Sequence, residues 1–296
     1  MTQAELLNHF RACQRYKAAR RWQKPWINPR RFVTNQLRIR GLYAPARGEL
    51  RAVPTFHFPQ FIIVNGEAVS EQIASYGIYE ENLTEAFLRL VQPEQIVVDI
   101  GMHLGYYTTL FALLVGRRGQ VHAFEPTPST REVARHNVQP FSQVTVHPHA
   151  VWSAVQTIPF HDYGSEWMAF NSFTDAKIEK GPPPAKEIQV ETITLDRFRQ
   201  TLGKKISLIK IDAESAEKEI LAGAEQLLKM DQPIVTLEVG DVGGRPTSRR
   251  LVQCLIALGY TPWELQAGRF ERHPPREIYA YDNLIFAPAA QDLSPF

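Results

Sequence analysis

The sequence predicts an open α/β domain with a largely parallel sheet and helices on both faces. Three stretches carry that prediction. Residues 96–128, IVVDIGMHLGYYTTLFALLVGRRGQVHAFEPTP, read as strand, glycine turn, buried helix and second strand, which is a βαβ unit. Residues 206–228, ISLIKIDAESAEKEILAGAEQLL, repeat the theme with an apolar strand, an acid at its end and a helix. A further strand, Ile234 to Val239, carries Glu238 at its end. Short continuous apolar runs suit parallel strands covered on both faces, where alternation would place polar groups in the core.

Size and composition agree. A chain of 296 residues and 33.7 kDa holds one large α/β domain with an appendage. Hydrophobic residues at 44% and charged ones at 22% exclude disordered and fibrous classes. No apolar run approaches the roughly 18 residues that span a bilayer. The opening MTQAELLNHFRACQRYK lacks the apolar core of a signal peptide. A cytoplasmic location is expected, with the inner face of a membrane as a peripheral variant. Cys13 and Cys254 are far apart without metal-ligand spacing, so free thiols are expected and no metal site is.

Taken in order, residues 1–55 form a basic helical extension, 56–95 a hairpin and helix leading into the core, and 96–296 the ligand-binding domain. The net charge of +2 conceals an asymmetry, because Arg11, Arg15, Lys17, Arg20, Arg21, Lys24, Arg30, Arg31, Arg38, Arg40, Arg47 and Arg51 face only Glu5 and Glu49 in that extension. Leu6, Leu7, Phe10 and Trp22 among these bases give a loosely amphipathic helix, ended by Pro25 and Pro29. It is read either as a solvated helix packed on the body or as a surface for an anionic membrane or polyanion. Asn65-Gly66 within FIIVNGEAVS predicts a hairpin turn. Leu83, Phe87, Leu90 and Val91 share one helical face before Pro93, and Tyr76, Tyr79, Glu80 and Glu81 precede it as a candidate ligand mouth.

Beyond the βαβ unit, Ser129 to Asn137 reads as a helix and Val144 to Val146 as a strand. His147 and His149 have no acidic or cysteine partner at metal-ligand spacing, so packing or loop roles are expected. Residues 161–187 lack periodicity, and so long a loop is more often a binding or lid segment than an idle connection. Ala216, Ile220, Leu221, Ala224 and Leu228 predict one helix, with Glu214 and Glu217 near its N-terminus. A helix at 247–258 follows, and Thr261–Leu265 with Asn283–Ala287 close the sheet.

The chemistry concentrates at strand ends. A turn on Gly101 and Gly105 lets a ligand approach the backbone, and the following helix offers free N–H groups. Glu125 lies twenty positions after Gly105, where a carboxylate accepts from a ribose diol. Asp212 stands at the carboxyl end of a central strand, the ligand-binding edge of open α/β sheets.

These residues carry a resemblance. VVDIGMHLGYYT, HAFEPTP, the TLD of Thr194 to Asp196, LIKIDAESAEKEILAGA and the TLEV of Thr236 to Val239 resemble, in that order, the FkbM family of class I S-adenosylmethionine-dependent methyltransferases. The resemblance covers about residues 70–287. It implies a Rossmann-like, seven-stranded mixed sheet with helices on both faces, and methyl transfer to a hydroxyl of a sugar, glycan or secondary metabolite. It also implies S-adenosyl-L-methionine held by Asp99, Gly101, His103, Gly105, Tyr106, Glu125, Thr127, Ala150 and Asp212. Asp212, Glu214 and His103 are the candidate bases, with His149 behind them, while Tyr79, Asn171, Lys210 and Glu238 are candidate acceptor contacts. Tyr106 and Tyr107 serve either core packing or cation–π contact with a sulfonium. Met102-His103 departs from the family's usual Ala-Asn, and Ser215 from its usual glycine.

Rival classes fit less well. A nicotinamide oxidoreductase needs GxGxxG where this chain has GxxxG. A nucleic-acid methyltransferase is not indicated by the residues, because neither an RNA-binding motif nor an Asn/Asp-Pro-Pro-aromatic tetrad is present. A non-catalytic binding module on the same fold stays open at the level of sequence.

Overall fold

The computed structural model describes residues 1–296 except 44, 165, 166, 169, 170, 172–184, 214, 215, 242–247 and 281. Helix α1 (Gln3–Ala18) starts in a capping box, in which the Thr2 hydroxyl accepts from the Glu5 N–H and the Glu5 carboxylate accepts from the Thr2 N–H. Its Leu6 and Phe10 are fully buried in the same apolar cluster as Phe87, Leu110 and Phe111, which seats the helix on the body. Helices α2 (Lys24–Ile27) and α3 (Pro29–Ile39) follow, the latter capped by the Asn28 side chain on the Arg31 N–H.

Strands β1 (Leu50–Val53) and β2 (Phe61–Val64) pair antiparallel. The expected turn at Asn65-Gly66 is therefore not the hairpin turn, since β2 folds back on the segment before it. Gly66, at φ +86°, leads instead into α4 (Ala68–Tyr76). The Glu67 carboxylate accepts from Val69 and Ser70 N–H, so EAVS satisfies its backbone as a capped helix.

The chain continues through α5 (Glu81–Leu90), β3 (Ile96–Ile100), α6 (Tyr106–Val115), β4 (Gln120–Phe124), α7 (Pro128–Val138) and β5 (Val144–His147). A small three-stranded sheet comes next, with β6 (Ala150–Val151) and β7 (Thr157–Asp162) flanking β8 (Lys186–Ile193). The remaining elements are α8 (Leu195–Leu202), β9 (Leu208–Ile211), α9 (Glu217–Ala222), α10 (Glu225–Asp231), β10 (Ile234–Val239), α11 (Ser248–Ala257), β11 (Tyr260–Gln266), β12 (Arg269–Arg272) and β13 (Asp282–Pro288).

The main sheet has the order β12-β11-β13-β10-β9-β3-β4-β5. From β10 to β5 all pairings are parallel, while β13, β11 and β12 pair antiparallel with their neighbours. Successive residues of β3 enter opposite layers, Val97 joining the cluster under α5 and α6 and Val98 the one under α8 to α11. The sheet has eight strands where seven were expected, because Gly268 (φ +75°) turns β11 back onto Arg269–Arg272. That charged edge strand carries no apolar run to announce it. The helix expected across Ala216–Leu228 is two helices. They break at Gly223, where an added Cβ would lie 2.2 Å from the Trp152 carbonyl oxygen.

The chain winds outward from β3 to β5, then returns to place β9 on the other side of β3. The carboxyl ends of β3 and β9 thus flank a topological switch point, where loops diverge and leave a crevice. Asn137 ties the wall of that crevice to the N-terminal half. Fully buried, it donates to the carbonyls of Ile62 (2.9 Å) and Leu104 (2.9 Å) and accepts from the Ile62 N–H (2.6 Å). Asn137→Ala leaves buried backbone groups unpaired and is expected to lower stability by about 2–4 kcal/mol in urea unfolding; a loss below about 0.5 kcal/mol would contradict this role.

Candidate active site

A cleft of about 1020 Å³, counted with its open mouth, lies over the switch point. Gly101, Met102, His103 and Tyr106 line it from the β3–α6 turn, Glu125 from β4, and Lys210 and Asp212 from β9. Val69, Ile73 and Tyr79 come from α4 and the segment after it, and His149, Ala150, Phe160 and Asn171 from beyond β5. Only glycine fits at 101. Its φ is +74°, and an added Cβ would sit 1.8 Å from the Asp212 carbonyl oxygen. The turn after β3 and the tip of β9 therefore touch backbone to backbone.

Glu125 is almost fully buried at the tip of β4. One carboxylate oxygen accepts from the His103 N–H (3.2 Å) and the other from the Thr127 N–H (3.0 Å). These bonds fix the carboxylate against the turn and leave each oxygen a lone pair for a ligand. Burial raises its pKa to about 7, against the pull of the Thr127 and His103 bonds.

Lys210 sits under the turn. Its ammonium donates to Asp212 Oδ2 (3.1 Å) and the Gly101 carbonyl (3.3 Å), lies 3.5 Å from Asp99 Oδ1, and stands 5.4 Å from the Tyr107 ring centre. Burial disfavours the ammonium, but the carboxylates of Asp212, Asp99 and Glu80 outweigh that and raise its pKa above the ordinary lysine value. It stays charged and cannot serve as a base. Asp99 is completely buried, takes a 2.5 Å hydrogen bond from Thr108, and lies below the cleft rather than on its wall.

The remaining candidates divide. Gly105 (φ +85°) begins α6 and lets the turn close without lining the cleft. Tyr106 accepts from the Tyr79 N–H, while the Tyr107 face is taken by Lys210, so that ring's cation is internal. Thr127 acts through its N–H on Glu125, and Asn171 reaches Thr127 and Thr130 hydroxyls at 3.4 Å. His149 lies 3.7 Å from Glu191. Glu238, at the end of β10, is not among the cleft-lining residues, and Glu214 lies outside the described residues. His103 adopts φ +50°, a left-handed conformation uncommon outside glycine. Its Nε2 lies 4.0 Å from the fully buried carboxylate of Glu67, and burial lowers its pKa, so the ring is neutral near pH 7.

Two acids beside the cleft were not singled out as site residues. Glu67 was missed because its role depends on α4 packing against the turn. Glu80 stood in the suspected ligand mouth, but its partners are distant in sequence, Tyr107 (2.9 Å) and Asn283 (2.8 Å). Its φ of +39° at the start of α5 was the one local anomaly available, and it is invisible in sequence.

The family model described as "Methyltransferase FkbM domain" matches residues 99–262. The chain belongs to the FkbM methyltransferase family. A relative, the 2-O-methyltransferase NoeI of Sinorhizobium fredii (strain NBRC 101917 / NGR234), is 27% identical over 162 residues, which are 50% of this chain and 64% of that protein. The match thus spans less than two thirds of the relative. Among solved structures, a methyltransferase FkbM from Methylobacillus flagellatus KT aligns with TM-score 0.44 and 14% identity, covering 73% of this chain and 52% of that one. Aeropyrum pernix fibrillarin with bound S-adenosyl-L-methionine aligns with TM-score 0.41 and 12% identity, covering 81% and 97%.

The family's cofactor, S-adenosylmethionine, fits the lining. Its ribose diol needs the acceptor lone pairs that Glu125 presents, its close approach needs the bare Gly101 backbone, and its cationic centres suit a wall carrying Glu125 and Asp212. A protonated Glu125 has one oxygen fewer to offer as acceptor. Because the folded-state pKa is raised above the unfolded 4.5, the folded protein binds the proton more tightly; apo stability should fall as pH rises from about 4.5 to about 7 and then level. Cofactor affinity has the opposite sign. Calorimetry should show it strengthening between about pH 6 and 8, with Glu125→Gln weaker and flat; equal pH slopes in both proteins would contradict the assignment.

Proposed function

We propose that this chain is an O-methyltransferase that transfers methyl from S-adenosylmethionine to a hydroxyl of a sugar, glycan or secondary metabolite. The observation that supports it most is the Glu125 carboxylate, held by two backbone N–H groups at the tip of β4 and facing the cleft. Transfer to oxygen is supported by the 2-O-methyltransferase named among the relatives.

When bound, the cofactor supplies a methyl group already activated by a sulfonium. The protein must then align an acceptor oxygen and take its proton, because an aliphatic hydroxyl does not ionise by itself near neutral pH. Asp212 is the proposed base. It lines the cleft, Lys210 fixes one of its oxygens, and the other is left to receive the proton as the new C–O bond forms and the C–S bond breaks. Tyr79 is not a rival base. Burial, with Glu80 and Asp212 adding to it, raises its phenol pKa well above the usual value, so it remains a donor for an acceptor oxygen. Asn171, which lines the cleft from beyond β5, offers a second polar contact. A second reading gives the proton to His103, whose neutral ring is backed by Glu67.

Paired kinetics separate the two. Asp212→Asn should lower kcat by about 10²- to 10⁴-fold, with cofactor Kd changed by less than about threefold. His103→Gln should keep turnover within about tenfold. The reverse pattern would transfer the base role to His103, and unchanged turnover in both would remove both.

A further inference from the structure

The basic extension carries a surface that methyl transfer does not use. Eight of the fifteen exposed large apolar side chains among the described residues fall between Trp22 and Tyr43. Trp26 is 86% exposed, Ile39 76%, Leu42 70% and Trp22 66%, with Ile27 and Leu37 beside them. Isolated exposed apolar groups are ordinary on a protein surface, but a concentration of this kind marks an interaction site.

Helix α3 is packed with its polarity inverted. Its inner face is polar. Arg31 donates to the carbonyls of Tyr76 and Pro54, Asn35 to that of Ser75, and Arg38 pairs with Glu71. These contacts fix α3 against α4 and the segments flanking it, and Val33 and Leu37 are turned to solvent. Residues 20–43 contain no Asp or Glu, and Arg20, Arg30 and Arg40 have no acidic partner among the described residues.

We propose that the α2–α3 surface docks on an anionic lipid bilayer. The charge selects the partner's sign, and a second copy of the chain would bring like charges together. Bases of a nucleic acid would stack on Trp22 and Trp26, but Ile27, Leu37, Ile39 and Leu42 would gain nothing from stacking. The boundary between headgroups and acyl chains accepts both, with tryptophans and aliphatic side chains entering it and arginines meeting lipid phosphates. The opposite side of α3 rests on α4, whose Val69 and Ile73 line the cleft, so docking would hold the cleft beside the membrane.

Flotation of the full chain with vesicles tests this. Vesicles of mixed phosphatidylcholine and phosphatidylglycerol should carry at least about tenfold more protein than pure phosphatidylcholine, and raising salt from about 50 to about 500 mM should release it. Trp26→Ser with Leu42→Ser, and separately Arg30→Glu with Arg40→Glu, should each reduce binding about tenfold, while cofactor affinity by calorimetry remains that of the parent. Absence of binding to anionic vesicles at low salt would overturn the proposal. So would variants that bind as the parent does, or a patch that these substitutions show to serve self-association or oligonucleotide binding instead. None of these outcomes depends on whether the chain methylates a hydroxyl.

Discussion

The Lys210 ammonium is the contact on which the rest of the cleft depends. It is enclosed by Asp212, Asp99 and the Gly101 carbonyl, with the Tyr107 ring over it. A buried charge is tolerable only when paired and hydrogen-bonded, and removing one partner of such a pair typically costs about 3–5 kcal/mol. The two strand tips that meet at the switch point are already paired by the β3–β9 ladder, and this cation adds the side-chain tie between Asp99, the Gly101 carbonyl and Asp212. Glycine at 101 is the steric counterpart, since the same junction leaves no room for a Cβ.

Acids cluster in and behind the cleft wall. Glu125 and Asp212 line it and Glu67 and Glu80 stand behind it, each held by bonds that leave it little freedom. Burial makes Glu80 and Glu125 resist ionisation, and Asp212 adds repulsion at Glu80. A cationic ligand favours the ionised carboxylates on binding, which is the electrostatic reason a sulfonium cofactor suits the site. The left-handed backbones of His103 and Glu80 are the local cost of bringing turn and helix together there.

The parallel core was legible because its elements are locally determined. Ile96–Ile100, Tyr106–Val115 and Leu208–Ile211 carry their own apolar patterns, and the spacing from Gly105 to Glu125 reports a βαβ crossover whatever surrounds it. What sequence left unread is long-range or depends on context. Glu67 and Glu80 become site neighbours only when α4 and α5 pack on the turn. Asn65-Gly66 has the chemistry of a hairpin, yet the Glu67 cap makes a helix of the next residues. The β12 edge strand is too charged for periodicity to find, and the turn at Gly223 is set by the distant Trp152 carbonyl. Asp99 was legible as important but not in its role, because a buried carboxylate bonded to Thr108 and Lys210 looks in sequence like one that faces a ligand.

The most direct test of this account is calorimetric titration of S-adenosylmethionine into the full chain and into Lys210→Met, with circular dichroism to confirm that both are folded. The account predicts saturable binding to the parent and a loss of at least about tenfold on removal of the cation that fixes Asp212 and the Gly101 carbonyl. A parent protein that fails to bind, or a folded Lys210→Met protein that binds as the parent does, would contradict it.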